Sequence, residues 1–262
     1  MRYFRIFLLH FQDVFEQRSR SFVWFLWSIL GPFTLILYWR GAIHGGMANW
    51  TVSSLTSYYL LEMIIGSICM SHIENETGYT DIQEGQLSSY LLRPFSYYQE
   101  KLLTEIPNRL LQGVMGLFIL LLIFIFFGST VTIHQSFLTI LLAIIIAIFA
   151  YLLAFTLKMI LGLTAFWVTD IGGMFQLSEM LIFIFAGYVL PLNLFPKPWD
   201  SIAYFLPYGY IVYFPTIAFQ GGVNIETLLH IIFMQCLWLS IAYFIYQNVW
   251  KYGMRKFSAV GQ

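Results

Sequence analysis

Thirteen acids, five histidines and two cysteines are the groups in this chain that could do chemistry or hold a metal. Their spacing offers little of either. There is no His-Glu-x-x-His pair and no cysteine–histidine cluster, so no metal site is expected. Cys69 and Cys236 both lie in apolar runs and read as packing residues rather than a disulfide. His72, Glu74 and Glu76 come together where an apolar run ends. That pattern suits a solvated helix end better than a ligand set. No Gly-x-x-x-x-Gly-Lys-Ser/Thr loop occurs, so the chain should not hydrolyse ATP by itself. Gly66-Ser67 lacks the surroundings of an intramembrane serine protease.

Two acids sit inside apolar runs. Glu62 lies about 10 Å from the start of its run, at ~1.5 Å per residue, and Glu179 lies about halfway along its own. Charge at such depth is costly and faces a bundle or cavity. Each acid therefore either lines a pathway or is held by Ser, Thr or Tyr of another helix. No basic residue is placed mid-membrane to pair with them, which argues against an ion-coupled relay.

The elements that must carry these groups are membrane spans. Apolar residues make up 59% of the 262, charged residues 10%, and the mean hydropathy is +0.75. A soluble domain carries about 25% charged residues. A spanning helix needs roughly 20 apolar residues. Six runs qualify: 22–39, 55–73, 106–127, 137–157, 171–190 and 227–247. Gly31-Pro32 should bend the first. Residues 159–169 either extend the fourth helix or lie at the interface. The expected fold class is all-α: a polytopic integral membrane protein of one domain, residues 1–262, with six transmembrane helices.

Residues 1–21 mix acids with bases and lead into no small-residue cleavage site, so they do not read as a signal peptide. Phe4, Phe7, Leu8, Phe11 and Phe15 recur at helical spacing. An interfacial amphipathic helix is expected there. Eleven basic residues fall on one side of the six-span arrangement: Arg2, Arg5, Arg18, Arg20, Arg93, Lys101, Arg109, Lys158, Lys251, Arg255 and Lys256. Only Arg40 and Lys197 fall on the other. The positive-inside rule puts both termini in the cytoplasm. The expected location is the cell (inner) membrane, and no nucleic-acid partner is expected.

Two loops carry more than connection. The cytoplasmic loop, residues 74–105, contains Thr80-Asp81-Ile82-Gln83, which has the form of a capping box. A short helix over Asp81 to Glu84 should stop at Gly85. A second turn, Leu87 to Leu92, should end before Pro94. Such a loop either docks a soluble partner or is simply solvated. Residues 191–222 are apolar and aromatic but broken by Pro191, Pro196, Pro198, Pro207 and Pro215. Their helical pieces are too short for a core of about 30 Å. An external re-entrant hairpin is expected, because broken backbone at depth must be buried in protein or line a cavity.

Three segments together resemble a known family: EGQLSSYLLRPFSYY in the cytoplasmic loop, AFWVTDIGG before the fifth run, and GYVLPLNLFP followed by FLPYGYIVYFPTIAFQGG. The chain is similar along essentially its whole length to permease subunits of type-2 ABC exporters, in the branch of about this chain's size. The resemblance implies that residues 1–21 form a connecting helix. It implies that the loop's coupling helix rests on an ATPase, through Tyr79, Thr80, Asp81, Ile82, Gln83, Glu84, Gly85, Leu87, Arg93 and Pro94. The external hairpin would form a gate, with Pro207, Tyr208, Tyr210, Tyr213 and Pro215 in it. ATP and Mg would be bound by a separate ATPase subunit, with no cofactor in this chain. Two permeases, identical or different, would pair. From their depth alone, and apart from the resemblance, Glu62 and Glu179 stand as the candidate pathway or intramembrane polar residues.

Two other classes compete. A lipid- or prenyl-modifying membrane enzyme needs paired acids or a histidine with a polar partner near one interface, and no Asp-Asp-x-x-Asp pattern is present. A secondary transporter often shows internal repeats, and the first three runs do not visibly repeat in the last three. The transported substrate is left open.

Overall fold

The computed structural model describes residues 51–127 and 136–257, preceded by helical residues 11–12, 23, 30–31, 33–39 and 41. The expected interfacial helix and Pro32 lie outside the described residues, apart from Phe11 and Gln12. No strand occurs among the described residues. The helices are α1 (Val52–Cys69), α2 (Ile73–Asn75), α3 (Leu87–Leu91), α4 (Tyr97–Phe127), α5 (Phe137–Leu163), α6 (Gly172–Phe185), α7 (Trp199–Phe205), α8 (Tyr213–Gln220) and α9 (Ile225–Gly253). A π-helical segment, Glu76–Gln83, continues α2.

The long helices start where short polar side chains can satisfy free amides. Thr51 and Ser136 accept from the backbone N–H of Ser54 and Thr139, whose hydroxyls accept the return bond. The Asn224 carboxamide accepts from the Thr227 N–H at 2.8 Å. Each such cap contributes about 1 kcal/mol.

Among the described residues, three helical runs are long and apolar enough to cross a bilayer: Val52–Gln83, Phe137–Phe166 and Ile225–Gly253. The bent pair Trp199–Phe205 and Pro207–Gln220, broken by 59°, would make a fourth if counted as one span. α4 has 31 residues, about 46 Å at ~1.5 Å per residue. The α1 run is 72% buried, whereas those of α5 and α9 are 28% and 22% buried. α1 is therefore the centre of the described bundle. α5 and α9 turn apolar faces outward, as a lipid-facing helix does.

α5 pairs most extensively with α9, and α1 packs along α4. Ile146, Ala150 and Leu153 of α5 join Leu228, Ile231 and Ala242 of α9 in the core. The alanines let the two helices approach. Near the C-terminal end of α5, Gly162 lets the helix sit against the π segment, since an added Cβ would lie 2.7 Å from Thr77 Cβ.

Several sequence expectations are corrected. Of the two readings left open for residues 159–169, extension holds: the fourth helix continues through Leu163 and a 3-10 turn, Thr164–Phe166. The fifth stops at Phe185, five residues early, at 14 residues. Gly187 adopts φ +94°, and the Tyr58 hydroxyl donates to the Gly187 carbonyl at 2.8 Å. The Tyr59 hydroxyl and the Trp39 indole donate to the Val189 carbonyl. Side chains replace the helical bonds that this stretch gives up. The capping box at Thr80 is not used. The chain reaches Thr80 already helical, so Asp81 and Gln83 belong to the end of the π segment. The stop at Gly85 is present, at φ +82°.

Candidate functional site

The end of the bundle where α1 gives way to α2 is held by three buried charge clusters around an irregular stretch of backbone. α1 ends at Cys69, and Met70 takes an extended conformation. The chain then re-enters helix and passes into the π segment, where the regular bonding pattern is lost. Buried backbone and side-chain groups freed there must find other partners.

The first cluster repairs the break. Glu105 of α4 accepts from the Ser71 hydroxyl at 2.8 Å and from the His72 N–H at 3.3 Å. Arg109, one turn on, holds the same carboxylate with its Nη2 at 2.6 Å. The Arg109 side chain also donates to the Ser67 carbonyl at 3.4 Å.

The second cluster fixes the loop that follows. Lys101 is fully buried. Its ammonium lies 2.6 Å from Asp81 and also pairs with Glu76. It donates to the Tyr90 hydroxyl at 3.2 Å and stands 4.4 Å from that ring's centre. The Tyr97 hydroxyl donates to Asp81, and the Tyr97 ring stacks on Trp250 of α9 at 4.9 Å. Burial alone would lower the Lys101 pKa, but Glu76 and Asp81 outweigh it and raise it above the ordinary lysine value. Arg93 pairs with Glu100 and lies 4.6 Å over the Tyr90 ring.

The third cluster joins three elements. Lys158 of α5 is buried, with its ammonium 2.8 Å from Glu74 of α2 and bonded to Glu179 of α6. His72 Nδ1 lies 4.0 Å from Glu74 and 3.8 Å from Glu179. The expectation that no base pairs with Glu179 is thus corrected: Lys158 does. The helix extension past Leu157 puts Lys158 inside α5, where it reaches Glu179 of α6. Glu62 is different. It is buried on α1, and neither carboxylate oxygen has a hydrogen-bond partner among the described residues.

The residues expected to couple to a partner fall into two sets. Asp81, Ile82 and Leu87 are buried and serve the fold. Gln83 is exposed, yet its side-chain amide donates to the Thr169 carbonyl at 2.6 Å. Tyr79, Glu84, Arg93 and Pro94 are exposed, with Thr80 and Gly85 half-buried. Sequence reasoning missed Leu91 and Leu92, which are 45% and 89% exposed. Their signal was two leucines on a short turn just ahead of Arg93-Pro94.

The broken segment 191–222 is packed into the bundle. The Gln235 side-chain amide of α9, fully buried, donates to the carbonyls of Tyr210 at 2.9 Å and Ile146 at 3.0 Å. Ile146 lies nine residues into α5, about 14 Å from its N-terminal end. Tyr210 and Tyr213 are buried, and Tyr208 is half-buried. Pro207 opens a 3-10 turn, Pro207–Tyr210. Pro215 does not break the chain. It sits in the first turn of α8, where its missing N–H leaves no bond unmade.

A bundle of apolar helices, ion pairs gathered at one end and an apolar broken hairpin make up an architecture suited to transport. A protein-family model described as ABC-2 family transporter protein matches residues 22–261. The chain belongs to the ABC-2 transporter family. Comparison with curated proteins returns no match. Membership makes it a membrane permease component of an ABC exporter and implies partnership with an ATP-binding cassette ATPase. It also sets aside the lipid-modifying enzyme, because the family is one of transport components.

Proposed function

We propose that this ABC-2 chain forms the membrane pathway of an exporter and couples to a separate ATPase through residues 79–94. ATP and Mg are bound on that partner. Residues 22–39, α4 and α6 with its unwound extension join the three long runs to make six spans, both termini facing the cytoplasm of the inner membrane. Residues 191–222 fold back from the outer face and close the exit. A second permease, identical or different, completes the pathway.

The observation that carries the coupling reading is the contrast within the 79–94 segment. Its inner side is clamped by buried Lys101, while Leu92 is 89% exposed beside exposed Arg93 and Pro94. A rigid segment presenting a bare leucine suits an interface anchor, whose removal costs about 2 kcal/mol or more. Leu92→Asp should lower co-purification with the partner ATPase by at least about tenfold, since ~1.4 kcal/mol is one decade. Membrane insertion should be unchanged. Full capture and full ATP turnover by that variant would refute the assignment.

A further inference from the structure

A cavity of about 310 Å³ opens between α5, α6 and the 3-10 turn Pro207–Tyr210. Leu157 and Leu161 of α5, Met174, Leu177 and Leu181 of α6, and Ile211 make its walls apolar. Met174 and Leu177 are also exposed at the surface, so a ligand reaches the space from the bilayer side of α6. Ligand pockets run from about 300 Å³ upward, which leaves room for one lipid chain.

The lining fixes the charge of what fits. Lys158 is its one charged residue, and that ammonium is already bonded to Glu74 and Glu179. A cationic group would lie beside the ammonium, with no carboxylate in the lining to hold it. An anionic group would compete with two carboxylates that already outnumber the lysine. Either ion would leave water without a partner of its own, which is costly. An uncharged group avoids both penalties.

The lining also offers hydrogen bonds. An ammonium carries three N–H groups, and the two carboxylates take two of those on Lys158. Ser178 of α6 and Tyr208 of the 3-10 turn both belong to the lining and are half-buried. Neither hydroxyl is in a hydrogen bond among the described residues. The Thr164 hydroxyl, by contrast, is spent on the Leu161 carbonyl at 2.6 Å. Two hydroxyls and a remaining N–H suit a group that both donates and accepts. A hydroxyl does both, an ester only accepts, and a hydrocarbon does neither.

We infer that this cavity binds an uncharged single-chain lipid alcohol, its chain among the apolar walls and its hydroxyl among Ser178, Tyr208 and Lys158. The inference rests on the permease reading and names a substrate class for it.

The test uses the purified full-length chain in phosphatidylcholine nanodiscs with a photoreactive diazirine analogue of dodecanol. Irradiation and peptide mass spectrometry should find the label on peptides containing Leu157, Leu161, Met174 or Ile211. Peptides containing Leu229 and Phe233, exposed on α9, report chance contact with the bilayer. At equal mole fraction in the disc, dodecanol should suppress the cavity label at least about tenfold more than dodecylamine or dodecanoate, because each of those buries a charge without a partner. It should surpass dodecane by about fivefold, as expected for one neutral hydrogen bond. Label on the α9 peptides should not discriminate among the four. Ser178→Ala combined with Tyr208→Phe should remove most of the advantage over dodecane and keep the advantage over the two ions. The competition within the unmodified chain needs no variant, so misfolding of the double variant leaves it decisive. Equal suppression by all four competitors, stronger suppression by either ion, or label confined to bilayer-facing peptides overturns the inference. The readout needs no ATPase, and the Leu92→Asp capture experiment needs no alcohol, so either reading can fail alone.

Discussion

Replacing Lys101 by methionine keeps the length of the side chain and removes its charge. Asp81, 1% exposed at its side chain, then loses the ammonium 2.6 Å away and keeps only the Tyr97 hydroxyl. Removing one partner of a buried pair costs about 3–5 kcal/mol. At ~1.4 kcal/mol per decade this favours opening of the segment by roughly a hundredfold to several thousandfold. Glu76 adds little to the loss, because its side chain is 41% exposed and water can replace the lysine. Hydrogen exchange of peptides covering residues 76–94, in the full-length chain in nanodiscs, reads that opening directly. Adding Asp81→Asn should restore most of the protection, since the amide still accepts from Tyr97 and no charge is left buried. The pH profile carries the same sign. A lysine pKa raised in the folded state stabilises fully below about 10.4, and that contribution is lost as pH rises through the higher folded value. A loss below about 1 kcal/mol for Lys101→Met, the range of an exposed pair, would refute the buried clamp. So would strict additivity of the two substitutions.

Gly162→Ala places a methyl 2.7 Å from Thr77 Cβ and 3.1 Å from the Glu74 backbone, so thermal unfolding should show a loss of about 1–3 kcal/mol. Gln235→Leu leaves two buried carbonyls without their donor; the cost is about 1–3 kcal/mol, and a cysteine at Ala203 should become reactive to polar reagents in that background only. A cysteine at exposed Asn193 should label from outside the cell and one at exposed Gln86 should not. External labelling at Gln86 would reverse the proposed orientation.

The long apolar runs were legible because a bilayer demands length and apolarity from a local stretch of chain. α5 and α9 lie almost where hydropathy puts them. The break in residues 191–222 was legible for the opposite reason: its prolines forbid one long helix. What the sequence hid is pairing at a distance. Lys158 finds Glu74 84 residues away, and nothing near Lys158 signals that partner. A lone lysine in an apolar run did signal that some carboxylate must exist. The short α6 was hidden because Tyr58, Tyr59 and Trp39 from other elements take the carbonyls at Gly187 and Val189. Asp81 read as a surface cap, since a local pattern does not reveal that Lys101 and Tyr97 enclose it.

Lys101, Arg109 and Lys158 are three of the eleven basic residues that set the expected orientation, and all three end up buried against carboxylates. Each therefore acts at two separate times. On the nascent chain it is a free positive charge that insertion can count. In the finished protein it is hidden, and the surface at that end of the bundle is less basic than the chain that was inserted. Replacing one of them by glutamine weakens a topogenic signal in the first minutes of the protein's life and an internal bond thereafter. Replacing its acidic partner leaves the first effect out, so the two kinds of variant separate an error of insertion from an error of folding.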